Sequence, residues 1–178
     1  MDIQQPIVNK VAQSGLITLN LEDFLPKEAI VELDIKPFLF RELLLKEKDF
    51  RKAMKEHDWT QYQEKNLAVF CSSDAIIPMW AYMLVATQAE AHAQFVGFGD
   101  KQEIFRLLTH QNIGQRLDVE GLKEKRVILK GCGDQPIPAS AYLEASRLLK
   151  PVVLSLMYGE ACSTVPIFKQ RKKRENNK

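Results

Sequence analysis

Apolar and polar residues alternate over Leu16 to Leu21, "LITLNL", and again over Ala29 to Ile35, "AIVELDI", after the turn-like "EDFLPKE". Alternation of this length predicts half-buried strands, and two in succession predict a β-hairpin or two neighbouring strands. From Phe38 to Lys55, "FLFRELLLKEKDFRKAMK", the apolar spacing becomes that of a helix and straight-chain helix formers dominate. One or two helices are expected there, ending near "EHDWTQYQ", where Trp59 and Tyr62 read as packing groups.

Beyond this point the pattern repeats. Residues 64–100 align without a gap on residues 124–160 (64 against 124, 100 against 160). "EKNLAVF" meets "EKRVILK", Asp74 meets Asp134, and Ile77-Pro78 meets Ile137-Pro138. Ala81-Tyr82 meets Ala141-Tyr142, and "VGFGD" meets "LMYGE". Agreement is tightest where turns need particular residues, the mark of two diverged copies of one supersecondary unit. Each copy reads as strand (Leu67 to Phe70; Val127 to Leu129), loop, helix and second strand ("QFVGFG"; "VVLSLMYG").

Pro78 and Pro138 suit a first helical turn, where the N–H that proline lacks is not needed. Asp74 and Asp134 are expected to cap those helices. A helix around Gln102 to His110, then a loop with Gly114 and Gly121, links the copies. The expected fold is α/β: a mostly parallel sheet built from two repeated βαβ units, with an N-terminal β-hairpin and helix added. One domain over residues 1–168 is expected, with "CSTVPIF" an extended segment closing over the sheet edge.

Composition and charge narrow the class. The chain has 178 residues and a formal net charge of +2. Its longest nearly apolar run, Ala75 to Ala86, contains Pro78 and falls short of the ~18 residues that suggest a membrane span. "MDIQQPIVNK" has neither the basic leader nor the apolar run of a secretory signal, so a cytoplasmic location is expected. The end of the chain, residues 169–178, "KQRKKRENNK", is basic, and without it the body is mildly acidic. It reads as a solvated, disordered tail rather than a nucleic-acid contact, because no basic or aromatic face accompanies it.

Three cysteines at wide spacing do not make a secreted disulfide framework. In a reducing compartment they are thiols, ligands or redox centres. Cys71 and Cys132 follow strands and precede helix starts, and Cys162 follows the turn at Gly159-Glu160. All three are therefore expected at the carboxyl edge of the sheet, where open parallel sheets bind ligands and helix N-termini favour thiolates. The histidines stand apart. His92 lies roughly 21 Å along the first repeat helix, His57 precedes its strand, and His110 lies down its own helix, so all three read as surface or packing residues.

Cys71, Cys132 and Cys162, with Asp74 and Asp134 as oxygen donors or helix caps, are thus candidate ligands for zinc or an iron–sulfur cluster. No Cys-x-x-Cys occurs, and small apolar thiols also suit crowded loops. Structural cysteines in a protein- or anion-binding module, or a thiol redox enzyme, stay open beside the metal reading. "KGCGD" fits an anion cradle or a simple turn, and "VGFGDKQE" lacks the third glycine of a dinucleotide fingerprint. No catalytic residue stands out, and the balance leans away from an enzyme.

"SGLITLNLEDF", "LLLKEKDFRKAMKEHDWTQYQ", "CSSDAIIPMWAYML", "KGCGDQPIPASAY" and "YGEACSTVPIFK" together resemble, over nearly the whole chain, an uncharacterised bacterial family catalogued as domain of unknown function 2480. The resemblance carries over no activity or catalytic residue. Through the encoding of members beside assembly proteins of the sulfur-mobilisation system, it implies iron–sulfur cluster assembly proteins as partners. No membrane partner is expected, and a homo-oligomer stays open.

Overall fold

The middle strand of each repeat is apolar on both faces, and that requirement for cover on both sides sets the layering. The computed structural model describes residues 15–130 and 135–170. In order, its elements are β1 (Leu16–Asn20), β2 (Ile30–Asp34), α1 (Glu47–Glu56), β3 (Asn66–Phe70), α2 (Met79–Ala89) and β4 (Phe95–Phe98). There follow α3 (Lys101–Arg116), β5 (Arg126–Lys130), α4 (Ala139–Leu149), β6 (Ser155–Glu160) and β7 (Ser163–Lys169).

The strands form two sheets. One is all parallel, in the order β2-β3-β4; the other, β1-β5-β6-β7, is parallel except for β7, which runs antiparallel to β6. An α/β fold of mostly parallel strands is what the alternating pattern anticipated. The chain divides into two compact units, Pro26–Leu108 and Met1–Leu25 with Thr109–Lys178. They are called here the β3 unit and the β5 unit.

In the β3 unit, Leu67 and Val69 of the middle strand are buried with Leu33, Phe50, Met54, Ala81 and Val85, beneath α1 and α2. Ala68, on the opposite face of β3, is buried against Ile30 and Ile104, the latter from the start of α3. In the β5 unit, Val127 and Leu129 pack with Leu21, Ile113, Leu117, Ala141, Ala145, Leu149 and Leu156. Trp59 and Tyr62 are buried packing groups, as their context suggested, and the Trp59 indole N–H donates to the Met54 carbonyl at 2.9 Å.

The internal repeat is reproduced closely in backbone geometry. Pro78 and Pro138 precede their helices at φ −61°, ψ 140° and φ −60°, ψ 141°. Glu64 and Glu124, which lead into β3 and β5, share a left-handed φ of 57°, and Gly99, just after β4, and Gly159, next to last in β6, take φ 131° and 119°. A Cβ at Gly159 would sit 2.5 Å from the Ser163 carbonyl oxygen, so only glycine fits that turn.

Several expectations need correction. β1 and β2 do not form a hairpin. Each joins a different sheet, Leu16 opposite Arg126 and Ile30 opposite Asn66, and so each supplies the parallel neighbour of a middle strand. The one mostly parallel sheet expected from the two βαβ units is correspondingly two sheets. Only Glu47–Glu56 of the 38–55 stretch is α-helical. Arg41 and Glu42 take positive φ (52° and 60°) in a turn closed by a Phe40–Leu44 bridge, which a helix cannot accommodate. α3 runs on through Gly114, where a linking loop was expected. Asp74 does not cap α2, whose N-cap position is Pro78 with no side-chain bond. The basic tail lies outside the described residues from Arg171 onward, while Lys169 ends β7.

Candidate functional site

The carboxyl ends of β2 and β3 bring polar groups together in the β3 unit. Asp34 ends β2, directly opposite Phe70, and Cys71 follows β3 by one residue. The Asp34 carboxylate accepts from the Lys36 N–H at 2.9 Å, the Ser72 N–H at 3.0 Å and the Ser72 hydroxyl. An aspartate at a strand end turns the chain this way because its short side chain reaches the N–H two residues on. Burial pushes the Asp34 carboxyl up, but the Ser72 hydroxyl, the two N–H donors and the Lys36 charge outweigh it and hold the carboxyl below its ordinary value.

Cys71 is half-buried against the β3 unit core, with its Sγ 3.6 Å from the Ser73 hydroxyl. The Ser73 hydroxyl in turn accepts from the Ala75 N–H at 3.2 Å. Tyr82, one turn into α2, faces this cluster. Burial raises its phenol above the ordinary value, and electrostatic interaction with Cys71 and Asp34 raises it further. Its ring packs edge-on to Phe98 with centroids 5.1 Å apart. A thiol, a carboxylate, two serine hydroxyls and a phenol therefore share one strand edge.

In the β5 unit the equivalent edge is built differently. Asn20 ends β1 and its side-chain oxygen accepts from the Glu22 N–H at 3.3 Å, the same turn that Asp34 makes, without the charge. Glu22 accepts from the Gln135 N–H at 3.1 Å, and Lys130 pairs with Glu160 at 3.5 Å. Tyr142 packs edge-on to Tyr158 at 5.6 Å, the counterpart of Tyr82 with Phe98. Cys162 is exposed in the turn between β6 and β7.

Of the expected site residues, Cys71 and Asp74 belong to the β3 unit and Cys162 to the β5 unit. Cys132 and Asp134 lie outside the described residues. Cys71 and Cys162 follow strands of different sheets, so the expectation of one shared sheet edge does not hold for this pair. Among the described residues, no group of three or more His, Cys, Asp or Glu side chains is placed to hold a metal ion. Sequence reasoning missed Asp34, although an acid at the end of "VELD" and two residues before Lys36-Pro37 is the signal of such a turn. It matched Tyr82 with Tyr142 in the repeat but did not show the proximity of Tyr82 to Cys71.

The histidines lie elsewhere. His57 sits among Phe38, Trp59 and Tyr62, with Nε2 2.9 Å from the Tyr62 hydroxyl, and burial lowers its pKa. His110 approaches Glu144 at 3.8 Å, and Arg147 grips the same carboxylate through two nitrogens at 2.6 and 2.8 Å.

A family model described as protein of unknown function DUF2480 matches residues 5–170. The chain belongs to that family. The DUF2480 match spans both repeats and β7. Comparison with curated proteins and with solved structures found no match. No helix among the described residues of this DUF2480 chain is long and apolar enough to cross a membrane.

Proposed function

We propose that this DUF2480 protein is an accessory protein that holds a soft metal ion, zinc, or an iron–sulfur cluster on cysteine thiolates. The observation that carries this reading is the placement of Cys71: a half-buried thiol one residue past the carboxyl end of a middle strand, 3.6 Å from the Ser73 hydroxyl, with the following residue, Ser72, bound to the Asp34 carboxylate. Thiolate sulfur with a neighbouring carboxylate is a donor combination suited to zinc, and cysteine thiolates are the usual ligands of iron–sulfur clusters. Asp74 lies in the same unit as Cys71, and Cys132, Asp134 and Cys162 of the other unit are the further candidate ligands that the sequence offers. It also calls for a reducing compartment, the cytoplasm, and for iron–sulfur assembly proteins as partners. No reaction is assigned to the site.

Elemental analysis and an absorption spectrum of the full chain, purified without air or chelator, test it. Stoichiometric zinc or an iron-dependent visible band, lost on Cys71→Ser with the fold intact, is expected. Metal content unchanged in all three single Cys→Ser variants overturns it.

A second reading has its own observation. Met79 and Met83 lie one turn apart on the outside of α2 and are exposed, as are Ile76 in the loop before it and Phe98 beside Tyr82. An adaptable methionine face of this kind suits protein docking, and Cys71 is then an inert packing group. Thiol reactivity separates the two readings: metal protects Cys71 until a chelator is added, whereas an inert thiol is unaffected by chelation.

A further inference from the structure

The two sheets differ at one edge. In the β5 unit the strand after the repeat helix, β6, has β7 along its outer side; in the β3 unit the equivalent strand, β4, is the last in its sheet. The other outer strands, β1 and β2, are terminal in both units. Among the described residues, only the β4 position is paired in one copy of the repeat and unpaired in the other.

Backbone direction fixes what β4 offers. The Gly99 N–H donates to the Val69 carbonyl of β3 at 3.0 Å. Because peptide groups alternate sides along a strand, Phe98 and Val96 direct their N–H and C=O groups away from β3, toward the open side. The strand "FVGF" carries no charge and no proline, the usual protections of an edge. α3 does not cover this side, since its first residues, Ile104 and Phe105, pack on a sheet face with Ile30, Ala68 and Phe95.

Phe98 is 71 % exposed, while Tyr158, its equivalent in β6, is 40 % exposed with Val165 of β7 directly opposite. That aromatic–valine pair identifies the missing neighbour. Strand β4 turned about a twofold axis at Gly97 presents itself in the antiparallel sense, with Gly97 opposite Gly97 of a second copy. Val96 then lies opposite Phe98 of that copy, on the same face of the sheet, and Phe98 lies opposite its Val96. These outward-facing residues become hydrogen-bonded pairs, and each aromatic meets a valine as Tyr158 meets Val165. Gly97 at the axis adds no side chain to the crossing.

We infer that β4 is a self-recognition edge, through which two copies of the chain join their β3-unit sheets into one six-stranded sheet by an isologous antiparallel contact. This does not depend on metal binding.

Sedimentation equilibrium of the full chain tests it. A reversible monomer–dimer equilibrium is expected, with amide exchange at Val96 and Phe98 slowing as concentration rises. Phe98→Lys puts an ammonium against the valine of the second copy, and Val96→Pro removes an outward N–H. Each weakens the dimer at least about tenfold with circular dichroism unchanged. Leu143→Lys, at a position 73 % exposed in the β5 unit, leaves it unaltered. A wild-type chain that stays monomeric at every soluble concentration overturns the inference. So does a dimer indifferent to both β4 variants.

Discussion

The two repeats run in step from the left-handed glutamates at 64 and 124 to the glycines at 99 and 159, and then part. After Gly99, Asp100 accepts from the Glu103 N–H at 2.8 Å and Glu103 accepts from the Asp100 N–H at 2.9 Å, a reciprocal cap that starts α3. After Gly159, "EACSTVPIFK" has no such pair. Its β-branched residues return along β6 as β7 instead. A few residues after a common strand thus decide whether the next element is a helix on a sheet face or a strand closing a sheet edge. The strand ends differ too, Asp34 in one copy and Asn20 in the other making the same turn. Only the first puts a carboxylate at that turn.

The largest expected effect tests whether the two middle strands are equally essential. Leu67→Ala, at a fully buried site in β3, destabilises the fold by about 2–5 kcal/mol in chemical denaturation. Next is the turn that separates the copies. Gly159→Ala forces a Cβ into the Ser163 carbonyl at positive φ and costs about 1–3 kcal/mol. Gly99→Ala meets the side chain of Glu103 rather than backbone, so it costs less than its counterpart. Glu103→Ala removes half of the reciprocal cap and costs about 1 kcal/mol, read in the same denaturation series.

The smallest effects are in pH. The folded-state pKa of His57 is depressed by burial, so the unfolded chain binds the proton more readily. Stability is therefore unaffected above the ordinary value of 6.5 and falls as pH drops below it, a decline that His57→Gln removes. Asp34 is also depressed, but as an acid. Its contribution is complete above 3.8 and is lost as pH falls through its lower folded value, and Asp34→Asn, which copies Asn20, abolishes that component. A midpoint-against-pH series for each variant checks both.

Much of this fold was legible because the repeat writes its turns twice. Pro78 and Pro138, Gly99 and Gly159, and the apolar middle strands all mark their elements locally. The partners of β1 and β2 were not legible, because alternation reports a half-buried strand and is blind to which distant strand lies beside it. Two such strands in succession look like a hairpin. A clue lay in the connection, where Leu21–Phe24 forms a 3₁₀ turn ahead of Pro26 instead of a tight reversal. The helical spacing over Phe38 to Leu45 misled in the opposite way, since the left-handed pair at Arg41 and Glu42 has no signature in apolar periodicity. At the site, Cys71 was found by its type. Asp34 and Tyr82 were not, because a strand from before the repeat and a helix from within it meet at that edge only in the fold.

Cobalt titration of the metal-free full chain under anaerobic conditions tests the metal-binding reading most directly, because thiolate ligation gives cobalt an intense near-ultraviolet charge-transfer absorption. The expected result is a saturable thiolate-to-cobalt band that loses intensity in Cys71→Ser and shifts in Asp34→Asn. A chain that gives no such band, or one unchanged by Cys71→Ser, contradicts the account.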